Sequence, residues 1–432
     1  MYFRLDSADP LFDRVTGGGA LADEFSRARS AAQAALCELL GSAADGQAAA
    51  FLGLTEQTGD LRALEAVTSS LRARFRRLCV LGTGGSSLGG QAIIGALVPR
   101  GHRDGRSLVF LDKIDPVSFD AALEGADFAE VGFLSISKSG ATAETVAQTL
   151  IVLERLSRVV GAARAGEHFL FIVEPGDSPL RRLATRLGAL VLDHHPKLGG
   201  RFSVLSLVGL LPALYLGLDA LALRAGAGAV LAEARRSSAR QPAALAEAAA
   251  FSATLLNAGC HNSVLMSYGD VLQPFARWWQ QLTAESLGKD GRGLTPLLAR
   301  GSADQHSLLQ LYLAGPADKF FTLLGPVAGR PGEAIASPLA AALGMPYLGK
   351  QTLDSLFVAE ADATAAALGE AGRFVRRFAL GTLDAATLGG LFMHFLVETV
   401  LIAKLMGVDA FTQPAVERGK VLARQFLEGR TP

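Results

Sequence analysis

Leu78-Cys79-Val80-Leu81-Gly82-Thr83-Gly84-Gly85-Ser86-Ser87-Leu88-Gly89-Gly90 is the stretch from which the fold is read. Residues 78–81 are a short, unbroken apolar run, the pattern of a strand buried on both faces. A glycine-rich turn follows and leads into a helix-like stretch. The same alternation continues downstream. Strands are expected at 107–111, 132–136, 168–173 and 189–192, with helices around 119–123 and 142–157 between them. Short apolar strands alternating with helices imply a parallel sheet covered by helices on both faces.

The first 75 residues are rich in Ala, Leu and Glu at helical spacing and carry no strand signal, so they are read as helices outside a sheet. Ala-rich helices from 221 to 256 separate the first α/β unit from a second. There 263–266, 320–324 and 347–348 read as strands, and helices fall near Ala340, at 356–368 and at 388–405. The expected organisation is N-terminal helices at 1–75, a doubly wound domain at 76–220, a helical connection at 221–256 and a second doubly wound domain at 257–432. A length of 432 residues fits two domains. No short internal repeat is visible.

Composition narrows the function. Half of the residues are hydrophobic and 19% are charged, a well-packed globular profile. Lys plus Arg equals Asp plus Glu at 41 each, so no net field recruits nucleic acid or an acidic membrane. An anionic ligand must therefore be held by a local pocket. Cys37, Cys79 and Cys260 lie far apart, which argues against a disulfide framework and a zinc site and fits a reducing cytoplasm. The N-terminus shows no basic segment followed by an apolar run. The apolar stretch 207–223 contains Pro212 and Asp219 and reads as a buried helix rather than a membrane span. The expectation is a soluble, cytoplasmic protein.

In open parallel sheets, ligands sit at the carboxyl ends of strands, where turns lead into helix N-termini. Gly82-x-Gly84 opens like a dinucleotide fingerprint, with Asp112 placed as a ribose-binding acid, but Ser87 stands where the third glycine belongs. The hydroxyls of Ser86 and Ser87 suit a small polyol or phosphate better. A second turn, Ser137-Lys138-Ser139-Gly140-Ala141-Thr142, joins a strand to a helix and concentrates hydroxyls and a lysine. Backbone N–H groups, the helix dipole and short donors there can cradle a phosphate monoester, even with Thr142 as an N-cap. Further on, Trp278, Gln281 and Glu285 share one face if the region 275–290 is helical, where Glu285 could serve as a positioned base, although taken alone it reads as a surface glutamate near a helix C-terminus. His306 and Lys420, each taken alone, read as ordinary structural or solvated residues.

Together the motifs resemble the glucose-6-phosphate isomerase family. The ordered set is Gly-x-Gly-Gly-Ser-x-Leu-Gly from Gly82, Ser137-Lys138-Ser139-Gly140 with Glu144-Thr145, Gly199-Gly200-Arg201-Phe202-Ser203, Glu285-Ser286-x-Gly288-Lys289, Gln305-His306-Ser307, and Gln413-Pro414 through Gly419-Lys420. The short interval from Glu285 to His306 is similar to that of the shorter bacterial branch. The resemblance implies two sugar-isomerase (SIS) domains, a homodimer with shared active sites, a hexose 6-phosphate substrate, and no metal or organic cofactor. It implies Glu285 as the base, Arg201 as the group opposing charge on a cis-enediolate, and His306 and Lys420 in ring opening. Ser137, Lys138, Ser139 and Thr142 would bind phosphate, while Gly85, Ser86, Gln281 and Gln413 would line the sugar. Leu287, Ala141, Thr412 and Ala415 depart from the family pattern. The alternatives are an isomerase that also takes mannose 6-phosphate, and a non-catalytic sugar-phosphate-binding regulator.

Overall fold

The computed structural model describes residues 3–6, 19–41, 46–98, 105–238, 240–327 and 332–430. Two five-stranded sheets organise them. The first contains β2 (Arg77–Leu81), β3 (Ser107–Leu111), β4 (Val131–Ile136), β5 (Phe169–Val173) and β6 (Leu190–Asp193), in the order β3-β2-β4-β5-β6 and parallel throughout. Each strand matches an expected one to within a residue or two at its ends. In this order the chain reverses direction across the sheet at β2 and β4, so the crevice at their carboxyl ends is the natural ligand position. The register pairs Leu81 with Ser135, which brings the two turns that follow side by side.

The second sheet has the order β1-β10-β9-β7-β8, with β7 (Asn262–Tyr268), β8 (Thr295–Gly301), β9 (Lys319–Leu324) and β10 (Phe374–Leu380) parallel. Its first parallel strand is flanked by the second and third, as in the first sheet. The winding is thus repeated although the sequence shows no repeat. β1 (Phe3–Asp6) joins β10 antiparallel and corrects the reading of the N-terminal 75 residues as purely helical. Four residues are too few for a period to register, and their pairing is supplied from the far end of the chain.

Two further strands escaped notice because their residues look wrong for a sheet interior. β8 is an edge strand carrying Pro296, Arg300 and Gly301. β10 carries Arg376, almost wholly buried, whose guanidinium donates to Glu398 at 2.6 Å and to Thr322 Oγ1 at 2.8 Å. A buried arginine is tolerated there because a carboxylate meets it. Residues 347–348 are not a strand but part of a 3₁₀ turn, Pro346–Leu348, where the proline removes a ladder donor. The apolar 207–223 segment is two helices, Leu207–Tyr215 and Ala220–Arg236, the second capped by Asp219 accepting from Ala222 N at 2.8 Å.

Alternating side chains divide each sheet between two cores. Leu78, Val80, Leu134, Ile136, Leu170 and Ile172 from the first sheet meet Leu265, Phe320, Leu324 and Phe378 from the second in one continuous core. The helices Leu88–Leu97, Gln273–Leu287 and Ala385–Met406 run through it. Ala385–Met406 is long and apolar enough to cross a membrane, but 89% of its most apolar window is buried within the protein. Arg224 also crosses this region. It grips Asp60 with two 2.7 Å hydrogen bonds and donates to the carbonyls of Gln57 and Leu205, tying the N-terminal helices to the loop that carries Arg201.

Candidate active site

Both glycine-rich turns emerge at the carboxyl ends of β2 and β4. The first becomes a 3₁₀ turn, Gly84–Ser86, before the helix Leu88–Leu97. Gly85 is required there by a close approach of two backbones. A Cβ on it would lie 2.2 Å from the carbonyl carbon of Gly200 and 2.7 Å from Arg201 N. Ser87 is buried and accepts from Gln91 Nε2 at 2.6 Å, and Gln91 also donates to Asp112 at 2.8 Å. Asp112 is thereby engaged in holding a helix.

The second turn closes around Gly140, whose φ of +62° and contact with Ser178 leave no room for a side chain. Ser137 is buried and its hydroxyl pairs with that of Thr142 at 2.8 Å. Thr142 occupies the N-cap position, yet its side chain accepts nothing from the helix Ala143–Val160. The first helical bond runs from Val146 N to Thr142 O, so the preceding N–H groups have no intrahelical acceptor. Ser139 is exposed and accepts from Ala141 N at 3.3 Å. Burial lowers the pKa of Lys138, against which the charge of Glu174 works. Nearby, His194 at the end of β6 was missed by sequence reasoning, since nothing in Asp193-His194-His195 resembles a motif. It is buried, and burial, reinforced by the charges of Lys138 and His195, pushes its pKa down to about 4.

The centre of the site is Arg201, 2% exposed on the 3₁₀ turn Gly200–Phe202. Its Nε donates to Ser286 Oγ at 2.8 Å, and Nη1 donates to Glu285 Oε2 at 3.1 Å and Gln413 Oε1 at 2.8 Å. Nη2 donates to Ala410 O at 2.6 Å and Thr412 O at 3.4 Å. A planar guanidinium held this way cannot swing. Glu285 sits in the last turn of the helix Gln273–Leu287, and its other oxygen accepts from Gln281 Nε2 at 2.9 Å. Gln281 in turn lies against Gly84. Lys289 caps the helix by donating to Glu285 O at 3.0 Å and Ser286 O at 2.7 Å.

The structure therefore brings Gly85, Arg201, Gln281, Glu285 and Gln413 into one contiguous network beside the Ser137–Thr142 turn. Among the described residues it does not connect His306 or Lys420 to that network. His306 is exposed after β8, and Lys420 pairs with Glu417 at 2.7 Å on an exposed helix, Glu417–Leu427. Trp278 does not join Gln281 and Glu285 at the site. It is 1% exposed and packs edge-on to Phe392, with ring centroids 4.7 Å apart. Leu287, beside the candidate base, is fully buried in the core and turns away from the opening.

Two doubly wound sheets of matching winding carry a hydroxyl-rich turn and a carboxylate–guanidinium pair, and their fold is shared by a tagatose-6-phosphate ketose/aldose isomerase structure from Escherichia coli, with a TM-score of 0.52 at 13% identity over 84% of this chain and 92% of that one. Residues 65–295 match the phosphoglucose isomerase family model. The chain is 38% identical over 346 residues to a glucose-6-phosphate isomerase of Rubrobacter xylanophilus, covering 79% of this chain and 80% of that protein. A solved structure of a hypothetical protein from Thermus thermophilus superposes with a TM-score of 0.88 at 30% identity, covering 98% of this chain and 99% of that one. A glucose-6-phosphate isomerase structure from Chlamydia trachomatis shares the fold with a TM-score of 0.73 at 20% identity, over 93% of this chain and 78% of that one. The chain belongs to the phosphoglucose isomerase family.

Proposed function

We propose that the chain interconverts glucose 6-phosphate and fructose 6-phosphate, with Glu285 moving one proton between C1 and C2 of the opened sugar. The observation that carries this is the Glu285–Arg201 pair, a partly exposed carboxylate touching a buried, immobilised guanidinium. Glu285 accepts one hydrogen bond on each oxygen, and a carboxylate retains further lone pairs to receive a proton. When it does so, its charge disappears as negative charge grows on the cis-enediolate. The guanidinium then faces the new charge without moving, which is how a preorganised dipole or ion lowers a barrier.

Ser137, Lys138, Ser139 and Thr142 bind the 6-phosphate in this reading, supported by the unsatisfied N–H groups of the adjoining helix. Gly85, Ser86, Gln281 and Gln413 line the sugar. His306 and Lys420 open the ring. His306 is supplied by a second subunit, an assignment favoured by its exposure and its separation from Glu285 in the hydrogen-bond network of one chain. The division at 1–75, 76–220, 221–256 and 257–432 is the proposal for domains, supported by the parallel strands of one sheet falling in 76–220 and those of the other in 257–432, to which β1 of the first segment adds an antiparallel edge.

The test is a coupled assay that offers fructose 6-phosphate and follows glucose 6-phosphate and mannose 6-phosphate separately. Formation of glucose 6-phosphate alone is expected. Equal formation of both establishes dual specificity, and formation of neither overturns the enzymatic reading.

A further inference from the structure

The N-terminal helix Gly46–Leu52 lies outside the span of the family-model match, yet it packs directly beneath the catalytic centre. Phe51 is fully buried. Its ring centroid is 5.4 Å from that of Phe202 and 6.5 Å from that of Phe411, while Phe202 and Phe411 are 5.0 Å apart. Phe202 is the residue after Arg201, and the Arg201 guanidinium lies 5.3 Å from its ring. Phe411 stands between Ala410 and Thr412, whose carbonyls both accept from Arg201 Nη2, and two residues before Gln413, which takes Nη1. The three rings thus lie under the two loops that hold the guanidinium. One turn earlier on the same helix, Gln47 runs along the first loop, where a side chain added at Gly199 would meet its Oε1 at 3.7 Å.

We propose that Phe51 is a positioning residue that fixes Arg201 and Gln413 against the reacting carbons by wedging Phe202 and Phe411. This rests on the reading of Arg201 as the group opposing the enediolate charge. Phe51 touches neither of those polar groups in the network. It sets the spacing between the loops that present them. Interiors are packed densely enough that removing one ring lets its neighbours shift, and displacement on the ångström scale is costly to a site that works by orientation. The phosphate cradle at 137–142 stands on other elements and keeps its shape.

The experiment compares Phe51→Ala and Phe51→Leu with Phe25→Ala. Phe25 is buried in the same core on the helix Ala20–Gly41, and it is not one of the three rings. At a temperature where all are folded, Phe51→Ala should lower kcat for fructose 6-phosphate by about 10- to 100-fold with KM changed less than about threefold. Phe51→Leu should recover most of the loss, and Phe25→Ala should retain kcat while losing thermal stability. If Phe51→Ala does not fold, Phe51→Leu against Phe25→Ala decides the matter, with a loss of about two- to fivefold expected only in the former. Independently of turnover, the Arg201 Nε–H resonance, assigned through Arg201→Lys, should shift in Phe51→Leu and stay in place in Phe25→Ala. Wild-type kcat and an unmoved Arg201 resonance in the Phe51 variants would overturn the proposal. A wild-type chain inert toward fructose 6-phosphate would instead count against the isomerase reading, leaving the resonance to judge Phe51.

Discussion

Gly85→Ala adds a single methyl group and should disable the site from within. The new Cβ would stand 2.2 Å from Gly200 C, 2.5 Å from Gly200 O and 2.7 Å from Arg201 N. Ordinary contact begins near 3.4 Å, so the two turns must part by about 1.2 Å. None of the obstructing atoms is the tip of a flexible side chain. The displacement falls on the residue bonded to Arg201 and on Arg201 itself. A shift of about 1 Å in a group that must oppose developing charge can cost on the order of 10²-fold in turnover. Overpacking of this kind also destabilises by about 1–3 kcal/mol, small enough to leave a folded protein. Turnover is read by coupling glucose 6-phosphate formation to its oxidation, and thermal unfolding is recorded in parallel. KM should change less than kcat, because Gly85 lines the sugar but the phosphate turn is not displaced. A folded Gly85→Ala protein with kcat within about twofold of wild type would refute the claim that the Gly85–Gly200 contact sets the position of Arg201.

Three further outcomes are expected. Ser139→Asp should raise KM for fructose 6-phosphate steeply while preserving the fold, since a carboxylate would occupy the N–H donors meant for the phosphate dianion; an unchanged KM places the cradle elsewhere. Random pairing of Glu285→Ala and His306→Ala subunits makes about half the dimers mixed, each with one intact site, so about a quarter of wild-type activity should return if His306 acts across a two-fold interface, and none if it acts within its own chain. Acid should destabilise the fold in two windows. His194, neutral when folded down to about pH 4, gains a proton on unfolding below about pH 6.5, so stability falls as pH drops between those values, by roughly 3 kcal/mol in all. Burial alone would raise the Glu398 pKa, but Arg376 and His394 hold it down to about 2, against an ordinary 4.5. Its contribution, also about 3 kcal/mol, is present above pH 4.5 and lost below. Denaturant midpoints measured from pH 7.5 to 3 should show both declines, and His194→Asn should flatten the upper one.

What the sequence revealed follows physical lines. The first sheet was legible because its strands read as short apolar runs, of which the central β2, β4 and β5 are buried on both faces, and because a Gly-rich turn closes the first of them. β10 was not, because Arg376 is neutralised by Glu398 from a helix some twenty residues further on, a pairing no local window contains. β1 was hidden because its partner lies at the opposite end of the chain. At the site, Glu285 and Gln281 were paired correctly by helical spacing, and the same spacing misled for Trp278, whose indole faces the core. Leu287 departs from the family pattern, and the structure buries it in the apolar core behind Glu285. Arg201 was found by motif alone. That it reaches Gln413, more than two hundred residues away, depends on two loops meeting over the Phe51–Phe202–Phe411 cluster.

The account stands most directly on Glu285 as the carrier of the proton. Glu285→Gln retains an acceptor for Arg201 and is nearly isosteric, so phosphosugar binding and folding should persist. With fructose 6-phosphate in tritiated water, the wild-type protein should introduce solvent tritium at C2 as it forms glucose 6-phosphate. The variant should do so about 10²- to 10⁴-fold more slowly, or more slowly still. Tritium entering C2 at the wild-type rate in Glu285→Gln would contradict the assignment of the base.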